Sequence, residues 1–86
     1  MFVTYILYSK TISRYYVGHT VDMNERLREH NSGEGKYTKR GTPWKVIWTF
    51  ECPTRSEAML LETKIKKRGI KRFLEDIKFR GVAQPG

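Results

Sequence analysis

Large apolar residues occupy every second position over Trp44, Val46, Trp48 and Phe50, with Lys45, Ile47, Thr49 and Glu51 between them. That period of two predicts a strand over 44–52 with the four large side chains on one face. Aromatic and β-branched residues also dominate 2–8 and 14–19, and the polar Ser9–Ser13 segment between them reads as a turn, so an antiparallel hairpin is expected. On its second strand, Tyr16 and Gly18 share one face, opposite Tyr15, Val17 and His19. Gly18 marks a close backbone approach or a bulge, and leaves room for a ligand at the Tyr16 hydroxyl. The period changes to that of a helix in two places. Asp22-x-x-Glu25 and Thr54-x-x-Glu57 have the form of capping boxes and predict helices over 22–32 and 54–67. Asn31-Ser32-Gly33 ends the first and Gly69 the second. Ile70, Phe73, Leu74 and Ile77 then recur at helical spacing over 70–79. The order β-β-α-β-α-α predicts an α/β fold, a small three-stranded and mainly antiparallel sheet flanked by helices. Residues 1–80 are expected to form a single domain, with 81–86 as a flexible tail.

Composition narrows the classes. Eighty-six residues suit one small domain, and a single cysteine, Cys52, rules out a disulfide framework and any site with several cysteine ligands. A small domain without disulfides, and without a signal-peptide pattern at Met1–Tyr5, is expected in the cytoplasm. No apolar run approaches the roughly 20 residues of a membrane span. The formal charge is +8, which calls for an anionic partner, nucleic acid being the commonest. The basic excess is concentrated over 63–80, where eight Lys and Arg face Glu75 and Asp76, and around Lys36, Lys39, Arg40 and Lys45.

Three features exceed what a packed core requires. Glu62 is the i+4 member of an apolar stripe through Ala58, Leu61 and Ile65, so it is either bound to a cation or engaged in an i,i+4 pair with Lys66. Arg26 and His30 project from one helix face at the border of Leu27. They suit phosphate binding and proton transfer, or else Arg26 pairs with Asp22 while His30 caps the helix end. Five tyrosines are many for this length, although packing accounts for most of them.

Tyr16-Val17-Gly18, with Tyr5 eleven residues before and Arg26 ten after, resembles the GIY-YIG nuclease superfamily. The likeness extends through Asp22–Gly33, Gly35–Arg40 and Ser56–Glu62, and is greatest to the small members related to the nuclease domain of the excinuclease C subunit. The first motif departs from the family pattern, reading Val3-Thr4-Tyr5, and no asparagine follows Glu62. The resemblance implies a metal-dependent endonuclease that hydrolyses DNA phosphodiester bonds, in DNA repair or recombination. It implies Mg²⁺ or Mn²⁺ at Glu62 and a catalytic set of Tyr5, Tyr16, Arg26, His30 and Glu62, with either tyrosine as the base. His19, Lys36, Tyr37, Lys39, Arg40, Lys64, Lys67 and Arg68 are the candidates for contact with DNA. No organic cofactor is expected, and the oligomeric state is left open. The alternative is a nucleic-acid-binding module whose site is weak or inactive.

Overall fold

The structure is a computed structural model that describes residues 1–33 and 38–80, with the backbone alone at 79 and 80. Lys36, Tyr37 and the expected tail over 81–86 lie outside the described residues. The chain runs β1 (Phe2–Ser9), β2 (Arg14–Thr20), α1 (Met23–Asn31), a 3-10 turn (Lys39–Gly41), β3 (Trp44–Cys52), α2 (Arg55–Arg68) and α3 (Ile70–Arg80). The strands form one antiparallel sheet in the order β2-β1-β3. The fold class, element types and boundaries follow the sequence patterns to within about one residue. Among the described residues, no helix is long and apolar enough to cross a membrane.

Local chemistry sets both main helix starts. The Asp22 carboxylate accepts the Glu25 N–H at 3.0 Å, and Thr54 Oγ1 accepts the Glu57 N–H at 3.2 Å. Glu25 does not complete its box in the expected way, because its carboxylate takes Arg28 at 2.6 Å. Central β1 is covered on both faces, so Thr4, Tyr5, Ile6 and Leu7 are all fully buried. One face carries α2 and α3, whose Ala58, Leu61, Ile65 and Phe73 pack on Ile6, Val17 and Cys52. Thr4 Oγ1 also donates to the Ala58 carbonyl at 2.9 Å on this side. The other face carries α1, and there Tyr5, Leu7 and Trp44 gather Val3, Tyr16, Met23, Leu27 and Val46.

The regular alternation in β3 conceals a change of face. Ile6 pairs with Trp48, but the next residue, Leu7, pairs with Val46, so Ile47 is an extra residue in the ladder. Trp48 and Phe50 consequently pack under α2 and α3, while Trp44 and Val46 pack under α1. The expectation of a single face for all four is corrected: a bulge turns the strand over without disturbing its spacing.

Asn31 fastens the end of α1 to the start of β3. Its Oδ1 accepts the Trp44 N–H at 2.5 Å and its Nδ2 donates to the Trp44 carbonyl at 3.1 Å. The Trp44 indole N–H donates in turn to the Thr38 carbonyl at 2.7 Å. Asn31→Ala strands both main-chain groups of Trp44, and a loss of about 1–3 kcal/mol in urea unfolding is expected. Asn31→Asp, which keeps the acceptor alone, should recover part of it.

Candidate active site

Four of the five candidate catalytic residues meet on the α1 face. Pairing of Tyr5 with Gly18 in the β1–β2 ladder lays the Tyr5 ring across the glycine. A Cβ at Gly18 would stand 2.6 Å from the Tyr5 hydroxyl. The space expected beside Gly18 for a ligand is therefore filled by Tyr5. Arg26 and His30, one helical turn apart on α1, reach down to the same hydroxyl: Arg26 Nε lies 3.3 Å and His30 Nε2 3.0 Å from it. Tyr16, cross-strand from Leu7, closes the group, its ring centroid 6.4 Å from that of Tyr5 and 4.9 Å from that of His30.

Electrostatics fixes the charge states in this group. Burial raises the Tyr5 pKa, and the hydrogen bond and charge of Arg26 only partly offset it, so the phenol is neutral. Burial, followed by the nearby Arg26 charge, lowers the His30 pKa against the weaker pull of Glu29, so its ring is neutral as well. The Arg26 N–H can only donate, so the Tyr5 oxygen accepts from it, and the Tyr5 hydroxyl and His30 Nε2 share a second hydrogen bond whose donor is set by the His30 tautomer. Arg26 also donates from Nη1 to Glu29 at 3.2 Å, and its pKa is raised by the Tyr5 bond first and this pairing after. Of the two readings left open for this pair, an Arg26–Asp22 contact and a His30 helix cap are replaced, since Asp22 serves its own helix start and His30 is buried against Tyr5.

A neutral buried histidine makes stability depend on pH. The unfolded chain protonates His30 near the ordinary value of 6.5, whereas the folded chain resists to a lower pH. Its contribution is therefore complete above that value and is lost as pH falls through the depressed folded value. The urea midpoint should decline with acidification below about 6.5. That decline should be smaller in His30→Gln.

Glu62 stands apart from this cluster. It approaches from α2, on the other face, where Oε1 meets His19 Nδ1 at 2.7 Å and Oε2 meets Lys66 Nζ at 2.7 Å. Both alternatives read from the helix stripe bear on it: the Lys66 pair is present, and the carboxylate still faces the edge of the sheet, its side chain 18% exposed. Burial opposes its ionisation, but the hydrogen bonds from Lys66 and His19 and their charges prevail and lower its pKa. Its charge is felt by Tyr5, and its partner His19 is the β2 neighbour of Gly18, the residue paired with Tyr5. His19, expected only among DNA contacts, orients this carboxylate. Sequence spacing could not reveal that bond, which joins positions 43 residues apart.

The basic residues divide by location. Lys39 and Arg40 are exposed on the turn beside Trp44, whose ring lies 6.2 Å from that of Tyr16. Lys64 and Lys67 are exposed on α2, with Lys64 beside Phe50 and Leu60 at the β3 side. Arg68 is held by Asp76 through two hydrogen bonds of 2.8 and 2.9 Å, which tie α2 to α3.

Comparison with known proteins establishes the family. Over 55 residues the chain is 44% identical to a UPF0213 protein of Streptococcus pneumoniae, covering 63% of this chain and 56% of that one. It is 34% identical over 73 residues to the structure-specific endonuclease subunit slx1 of Schizosaccharomyces pombe, covering 80% of this chain and 27% of that protein. The chain thus spans little more than half of the first relative and about a quarter of the second. The solution NMR structure of a UPF0213 protein from Bacillus halodurans superposes with a TM-score of 0.56 at 31% identity, over 94% of this chain and 87% of that one. The sequence profile of the GIY-YIG catalytic domain matches residues 1–73. Since that match covers most of its length, the chain belongs to the GIY-YIG catalytic domain family.

Proposed function

We propose that the chain is a metal-dependent endonuclease that hydrolyses DNA phosphodiester bonds. The observation that carries this reading is the contact of Tyr5, Tyr16, Arg26 and His30, drawn from three elements, with Glu62 held on His19 of the same strand as Tyr16. Family membership supports the reaction class. The net positive charge and the exposed Lys39 and Arg40 support a polyanionic substrate.

The two tyrosines take different parts. Tyr5 has no exposed surface and its hydroxyl is committed to Arg26 and His30, so it positions the guanidinium. Tyr16 is half-buried at the rim of the same group and is the one that can reach water. Its hydroxyl would orient the attacking water, taking a proton from it on the oxygen while releasing its own phenolic proton to solvent water. Arg26 keeps N–H donors beyond those on Tyr5 and Glu29, and these would hold the charge that builds on the phosphate.

A divalent cation suits Glu62 on donor chemistry, since the carboxylate is ionised and partly exposed. Among the described residues no group of three or more His, Cys, Asp and Glu is assembled, so Glu62 would be the one carboxylate ligand, with water filling the remaining positions as Mg²⁺ tolerates. Lys66, 59% exposed, can leave Oε2 for solvent. When bound, the ion would neutralise phosphate charge and stabilise the departing oxygen.

The test is cleavage of nicked, flapped, single-stranded and blunt DNAs in Mg²⁺, Mn²⁺ and EDTA. Cutting with either metal and none in EDTA is expected, lost in Tyr16→Phe with folding intact. DNA binding with no cutting of any substrate would replace this reading with the binding-module alternative.

A further inference from the structure

A second concave site adjoins the first. On the face that carries α2 and α3, a cavity of ≈ 620 Å³ opens between β2 and the α2–α3 junction, bordered by Tyr8, Arg14, Tyr15, Lys66, Ile70 and Lys71. Three cations from three elements converge there and no acid lines it. Of the three, Lys66 has a counterion, Glu62, and among the described residues Arg14 and Lys71 make no ion pair. Converging like charges repel one another, and an anion is the occupant that relieves them.

The aromatic border says more about the occupant than the charge does. Tyr8 and Tyr15 are paired across β1 and β2, their ring centroids 4.9 Å apart and tilted by 46°, so the sheet holds them in place. Fixed rings among cations suit a flat base attached to a phosphate. The volume is that of a small-molecule pocket. A paired base keeps its faces against its neighbours in the stack, so the base that reaches these rings is unpaired. Lys66 borders this cavity while holding Glu62, so the cavity begins where the Glu62 group ends.

We propose that this cavity receives an unpaired nucleotide from a single-stranded DNA arm, next to the phosphate presented at Glu62. Building on the nuclease reading, it assigns the substrate class: DNA carrying a single-stranded segment beside the cut.

The test uses fluorescence anisotropy in EDTA, where binding is read without cleavage, on the full chain. The probes are a blunt duplex and the same duplex with a short oligo-dT flap. Base–aromatic stacking sets the scale, and the flapped probe should bind about tenfold more tightly. Tyr8→Leu and Lys71→Gln should each remove most of that ratio, and Tyr8→Phe, which keeps the ring, should preserve it. A ratio near one in the unsubstituted chain, or a ratio unmoved by both substitutions, overturns the proposal. Cleavage in Mg²⁺ separates the two readings. Cutting together with an unmoved ratio removes the cavity's role and leaves the nuclease. No cutting together with a ratio that Tyr8→Leu abolishes removes the nuclease and leaves a pocket for single-stranded DNA.

Discussion

Glu62→Ala should leave a folded, DNA-binding protein that no longer cuts. Stability is expected to change little, because the partners freed by the substitution are near solvent. The Lys66 side chain is 59% exposed and that of His19 22%, so both can be hydrated once the carboxylate is gone. Pairs of this kind contribute about 1 kcal/mol or less. DNA binding should persist, since it rests on the net positive charge of the chain rather than on one acid. Cleavage should fall by about 10³-fold or more, the scale of losing several kcal/mol of charge stabilisation in the transition state. A glutamate that only paired with Lys66 would give no such fall, so the variant separates the two readings of the α2 stripe. Cleavage in Mg²⁺ close to that of the unsubstituted chain would remove Glu62 from the mechanism and favour the binding-module alternative.

What was legible in the sequence and what was not divides by the range of the interaction concerned. Asp22 and Thr54 mark helix starts because each cap is a bond to an N–H three residues on. Arg26 and His30 could be placed on one helix face because 3.6 residues per turn is a local property. Their common target could not, because Tyr5 Oη reaches them only through the β2-β1-β3 order and the seating of α1 over β1. Nor could the turnover of β3, since a bulge at Ile47 lies in the register with β1 and not in the alternation of β3 itself. The charge pattern counted Lys66 and Lys71 in the basic stretch over 63–80 and left Arg14 outside both stretches. Their convergence on one cavity depends on the packing of α2 and α3 over β2. The family motifs located the catalytic candidates without this knowledge, but they left the two tyrosines equivalent; the burial of Tyr5 is what distinguishes them.

Gly18→Ala should damage the site through a single methyl group. The added Cβ would meet the Tyr5 hydroxyl at 2.6 Å, its Cζ at 2.9 Å and Tyr16 Cε1 at 3.3 Å. A flexible surface side chain would move aside. Tyr5 is fully buried and its hydroxyl is bonded at 3.3 Å to Arg26 and at 3.0 Å to His30, so any retreat breaks those bonds or lifts β2 from β1. Overpacking of this kind costs about 1–3 kcal/mol. For a domain of this size each kcal/mol lowers Tm by about 4–8 °C. Cleavage should fall by about 100-fold, because Arg26 and Tyr16 both lean on the displaced ring and a shift near 1 Å has that effect. The cause can be isolated by a cycle with Tyr5→Phe, which deletes the oxygen nearest the new methyl. In that background Gly18→Ala should cost less, with a coupling of about 0.5–3 kcal/mol. Strict additivity of the two losses would mean that the glycine serves the strand's backbone rather than the phenol, and that the Tyr5 hydroxyl is not what Gly18 makes room for.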